Sequence, residues 1–144
     1  MPALNSYDYA VLRVVPHVER EEFINVGVIL FCRTRRFLNA RIVLDAERLM
    51  ALAPEVDLAM IQAQLDLILR ICRGGPDAGA IGQLDQAGRF HWLVAPRSTI
   101  IQVSPVHCGL CADPRIALED LVNKLVCAQD FPVSRGLSND PADV

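Results

Sequence analysis

The chain has no excess of positive charge. Its formal net charge is -3 over 144 residues, which argues against a general nucleic-acid binder, whose footprint is a basic excess. No apolar run approaches the ~18 residues of a transmembrane helix, so no membrane segment is expected. Gly 8 and Pro 9 are too few for a low-complexity chain. The opening Met1-Pro2-Ala3-Leu4-Asn5 has neither the basic n-region nor the apolar h-region of a secretory signal. Five cysteines at the irregular positions 32, 72, 108, 111 and 127 are therefore expected as thiols in a reducing cytoplasm. Lys124 is the only lysine, and the dominance of arginine reads as a compositional bias rather than as chemistry.

What is present is apolar material. At 52% hydrophobic the chain is no disordered tail, and its length fits one domain that buries roughly 68–70% of its unfolded surface. Residues 1–48 are near neutral and the remainder is acidic, so any anion-binding surface is expected toward the front.

Tyr7 to Val15 reads as a strand closed by Pro16, and Phe23 to Cys32 as a stronger one, apolar on both faces apart from Asn25 and Gly27. A polar connection, Arg33-Thr34-Arg35-Arg36, leads to a third strand from Phe37 to Leu44. Links this short predict an antiparallel meander. Asp45 starts a short helix that ends before Pro54. Asp57 caps a longer one whose Leu58, Ile61, Leu65, Ile68, Leu69 and Cys72 follow helical spacing until Gly74-Gly75-Pro76. Residues 77–88 read as a Gly-rich loop, and Phe90–Ala95 and Thr99–Val103 as strand-like pieces. Asp113-Pro114 opens a last amphipathic helix with Leu118, Leu121, Val122, Leu125 and Val126 on its apolar face. The expected architecture is α+β: a single domain over residues 5–130, with an antiparallel sheet that starts with the meander. Two amphipathic helices are expected on one face of that sheet, so that Ile61, Leu65, Val28, Leu30, Leu121 and Leu125 are buried together. Residues 131–144 form a polar tail.

Two blocks carry a family resemblance. The first is Tyr7-Asp8-Tyr9-Ala10-Val11-Leu12-Arg13-Val14-Val15-Pro16 with the run from Glu19 to Phe31. The second runs from Arg89-Phe90-His91-Trp92 through Pro96-Arg97-Ser98-Thr99 to Ser104-Pro105-Val106-His107. Together they resemble the bacterial family called domain of unknown function 3037, from about Tyr7 to Val126. The resemblance implies no particular activity, substrate or cofactor. It does imply a partner, because members are often encoded beside a HipA-like serine/threonine kinase. The Cys108–Cys111 pair lies outside the family pattern.

Several constellations invite chemistry. His107-Cys108-Gly109-Leu110-Cys111 is the most metal-like stretch, but a structural zinc needs four ligands and no second Cys-x-x-Cys exists, so plain thiols are the expectation. Ser98 or Ser104 with His91 or His107 lacks any nucleophile-elbow signature. The Gly74–Gly82 run lacks the ending of a phosphate loop. The more informative residues are polar groups inside apolar strands. Alternation puts Asn25 and Gly27 on one face, and Arg13 stands among Tyr9, Val11 and Val15, where a charge needs a partner. Two readings stand. In one, Arg13 forms an internal salt bridge to Asp8, Glu22 or another acid. In the other, Arg13, Asn25 and Arg41 line a polar patch on an uncovered sheet face, joined by Arg97, with Gly27 leaving room for a ligand or partner. The expected function is a non-catalytic interaction or regulatory module acting with a protein partner, the HipA-like kinase implied by the resemblance. The alternative is an enzyme or binding protein for a small anionic ligand held by the arginine patch. No cofactor is expected.

Overall fold

A computed structural model describes residues 3–97 and 99–127; the expected tail at 131–144 lies outside them. The meander forms as its short links require. Strand β1 (Asn5–Val14) pairs antiparallel with β2 (Ile24–Cys32), which pairs antiparallel with β3 (Phe37–Ile42). The caps also act where the carboxylates stand. Asp45 accepts from the Arg48 N–H at the start of α1 (Ala46–Leu52), and Asp57 from the Met60 N–H at the start of α2 (Leu58–Arg73), each satisfying an orphan donor of the first turn. Helix α3 (Gln86–Leu93), strands β4 (Ile101–Val103) and β5 (His107–Cys111), and helix α4 (Pro114–Leu125) complete the described fold. Both β4 and β5 pair with β1, one with each half, so they share the place beyond it in the order β3-β2-β1. The chain is an α+β domain on one antiparallel sheet.

The two amphipathic helices do not share a face. Along β2, Ile29 and Phe31 join the core that contains Ile61 and Leu65 of α2. The alternating residues Val28, Leu30 and Cys32 instead pack with Leu118 and Val122 of α4. Helix α4 therefore covers one side of the sheet and α2, with α3, the other. The expected common cluster splits into two for the same reason. A strand apolar on both faces is stable only when both are covered.

Residues 77–88 are not an open loop, nor is 90–95 a strand. A 3-10 segment, Pro76–Gln83, leads into α3, where the Asp85 carboxylate accepts from the Gly88 N–H at 2.8 Å. Phe90 and Leu93 are buried while His91 and Trp92 between them are exposed, which is helical spacing rather than alternation.

The β1–β2 register slips between Leu12 and Arg13. Leu12 stands opposite Gly27 but Arg13 opposite Asn25, leaving Val26 as the extra residue of a bulge. One extra residue reverses the parity of a strand. Gly27 thus faces α2 with Leu12, and Asn25 faces α4 with Arg13, contrary to the expectation that they share a face.

Candidate functional site

The arginine patch expected on an open sheet face is not assembled. Helix α4 lies over that face and engages its polar residues one by one. Asn25 Nδ2 donates to the Leu125 carbonyl at 3.0 Å. Arg41 Nε donates to Glu119 Oε2 at 2.9 Å in an exposed ion pair. Gly27 is buried, and a Cβ there would stand 2.7 Å from the Arg41 carbonyl oxygen, so its role is close packing of β2 on β3. Arg13 does stand beside Asn25, but the expected carboxylate is missing among the described residues. Glu22 pairs with Arg20 instead, and the Arg13 guanidinium sits 4.2 Å from the Phe23 ring centroid. Arg13 Nε and Asn25 Oδ1 are buried and unpartnered among the described residues. Arg97 belongs to the opposite side of the sheet.

The Cys-x-x-Cys stretch is strand β5, and this decides what it can hold. Cys108 stands opposite Asp8 and is exposed, whereas Cys111 stands opposite Asn5 and is buried. Three residues apart on a strand place the two thiols on opposite faces, so they do not converge on one ion. Burial raises the Cys111 pKa, and the neighbouring Cys32 thiol, which hydrogen-bonds to it, raises it further. The His107 ring lies 5.4 Å from that of Tyr9. Ser104 accepts from the Val11 N–H at 2.8 Å and donates to the Pro105 carbonyl at 2.9 Å. It bridges the break between β4 and β5, and among the described residues neither of these bonds is to an imidazole. Ser98 lies outside the described residues.

Two features that the sequence did not announce are more informative. The first is the edge that β5 forms among the described residues. Its sequence, His-Cys-Gly-Leu-Cys, contains no acidic side chain, lysine or arginine. Leu110 is 65% exposed, and Ile116 at the start of α4 is 61% exposed. Both line a hollow with Tyr7, Asp113 and Asp120. The Tyr7 ring closes over Gly109, where a Cβ would stand 2.6 Å from the tyrosine oxygen, and so it shields the inner side of the strand. Burial raises the Tyr7 pKa, and Tyr9, Cys111 and Asp120 add to the rise. Edge strands are normally guarded by charge. Strand β3 carries Arg41 in its ion pair; β5 carries nothing comparable.

The second feature is a cavity of about 270 Å³ between α2, the end of α3 and β4. Leu67, Ile68, Ile71 and Ile101 make its walls, and Trp92, 37% exposed, stands at its side. Gln64 and Gln102 are polar lining groups, and Arg97 is the one charged lining residue among the described residues. The Arg97 guanidinium stacks 4.2 Å from the Trp92 ring centroid. Its Nη1 donates to the Leu93 and Ala95 carbonyls and its Nη2 to that of Trp92, closing the C-terminus of α3.

Comparison with known proteins agrees with the residues quoted above. The family described as "Protein of unknown function (DUF3037)" matches residues 9–126. The chain belongs to that family. No curated protein and no solved structure gives a match. The matched span of this DUF3037 chain takes in most of the meander, Arg97 and its cavity, β5 and all of α4. Among the described residues no helix is long and apolar enough to cross a membrane.

Proposed function

We propose that this DUF3037 protein is a bacterial, cytoplasmic, non-catalytic interaction module that docks a protein partner along β5. The observation that carries the reading is the uncharged edge strand with Leu110 exposed beside Ile116. An exposed sheet edge offers unpaired N–H and C=O groups to an extended segment, and alternate side-chain pockets then give selectivity. The Leu110–Ile116 hollow is one such pocket, and its charged lining, Asp113 and Asp120 against Lys124, leaves one net negative charge, which favours a segment that carries a basic residue. A HipA-like serine/threonine kinase is the partner to test first.

The test is co-expression of the full chain with a HipA-like kinase from the same source, followed by purification of the complex. Wild type retains the kinase, and the exposed double substitution Leu110→Asp with Ile116→Asp weakens retention about tenfold or more, as loss of a buried apolar anchor does. Failure of wild type to retain the kinase would remove that partner. Retention by the double variant would remove the surface.

A further inference from the structure

The cavity beside Arg97 stands apart from the β5 edge and supports an inference independent of the partner reading. An arginine in an apolar cleft is stable when its charge is answered. Here three carbonyls at the end of α3 answer part of it, two through Nη1 and one through Nη2. Nε makes no hydrogen bond among the described residues. That leaves the guanidinium able to donate to a carboxylate as well. The stacked Trp92 ring holds the guanidinium plane. Among the described residues every other lining residue is uncharged and most are apolar, so a bound anion meets no carboxylate there and a mainly apolar body suits the walls. The volume, about 270 Å³, is at the small end of ligand pockets, which span roughly 300–1,000 Å³.

We propose that this cavity binds a small monocarboxylate with an apolar body of roughly six to ten carbons, a size suited to the small end of ligand pockets. Its carboxylate meets the Arg97 guanidinium and its chain lies against Leu67, Ile68 and Ile101. Gln64 and Gln102 flank the cavity without adding charge.

Trp92 is the chain's one tryptophan and lines the cavity, so its fluorescence reports occupancy directly. The full chain is titrated with octanoate, with octan-1-ol as the uncharged counterpart, and with acetate as the head without a body. Octanoate gives a saturable change, octan-1-ol requires about tenfold more for half-saturation, since a charge-assisted bond is missing, and acetate gives none. Leu67→Glu, a change at a partly exposed wall position, introduces a like charge and weakens octanoate about tenfold or more. Arg97→Gln abolishes the preference for octanoate over octan-1-ol. Should that variant not fold, the wild-type comparison and Leu67→Glu still decide. No saturable response to octanoate would overturn the proposal. Equal half-saturation by octanoate and octan-1-ol, or unaltered octanoate binding by Leu67→Glu, would do the same.

Discussion

Arg89 Nη1 donates to the carbonyl of Cys72 at 2.7 Å, and to that of Ile71 at 2.9 Å, so one guanidinium from α3 closes the last turn of α2. Its Nε donates to the Leu84 carbonyl as well. Arg89 is 8% exposed and meets no carboxylate among the described residues; carbonyls and the negative end of the α2 dipole answer its charge. Gly74 has φ +76°, and a Cβ there would stand 2.7 Å from Arg89 Nη1, so glycine makes room for the side chain.

Replacing Arg89 by Met leaves these carbonyls without their donor. Hydrogen bonds to a charged group are worth about 1.5–3 kcal/mol each, so a loss of about 3 kcal/mol on urea unfolding is the conservative expectation. A loss below about 0.5 kcal/mol, the range of ordinary surface changes, would contradict the role.

Burial pushes the Cys72 thiol up from 9.0 to about 12, against the opposing pull of Arg89 and Arg73. In the unfolded chain the thiol ionises near its ordinary value, whereas the folded chain holds the proton to about 12. Its contribution to stability is therefore complete below pH 9.0 and is lost as the pH rises to about 12. Tyr7 and Cys111 are raised too and act in the same direction. Urea midpoints measured from pH 8 upward should fall, and Cys72→Ala should flatten the slope. An equal slope in the variant would show that Cys72 is not the source.

Leu65 and Leu118 lie in separate cores on opposite sides of the sheet. Each change to Ala should lower stability by about 2–5 kcal/mol. The two losses should add within about 0.5 kcal/mol, as they do for sites without shared partners. A coupling above about 1 kcal/mol would mean that the two helices share one core.

Arg41 and Arg13 should respond mildly for different reasons. The Arg41–Glu119 pair is exposed on both sides, so Arg41→Met should alter stability by less than about 1 kcal/mol. Among the described residues Arg13 has no carboxylate to strand and its contact is the Phe23 ring, so Arg13→Met should lower stability by about 1 kcal/mol. A loss of about 3–5 kcal/mol from Arg13→Met, the signature of a broken buried ion pair, would reveal an acid that the described residues lack.

The meander and the caps at Asp45, Asp57 and Asp113 were legible because each depends on neighbours within a few residues. The covering of both sheet faces was written in β2, whose unbroken apolar run is the pattern of a strand buried on both sides. Reading the helices as one layer missed that signal. The bulge at Val26 was not legible, since no residue type marks it, and it moved Gly27 away from Asn25. Aromatic and β-branched content made Phe90–Ala95 look extended, although Asp85 as a cap and the wet pair His91-Trp92 pointed to a helix. Arg89 gave no sequence sign of burial because its partners are backbone carbonyls. Strand β5 is short and contains glycine, and it owes its order to β1 rather than to its own propensity. The exposure of Leu110 depends on that same tertiary pairing, which no local pattern reveals.

The docking edge is tested most directly by amide hydrogen exchange on the full chain, alone and in complex with the HipA-like kinase. A segment that adds to the sheet slows exchange across residues 107–111 and leaves the opposite edge, residues 37–42, unchanged. A stable complex in which 107–111 exchange as fast as in the free chain would contradict docking along β5.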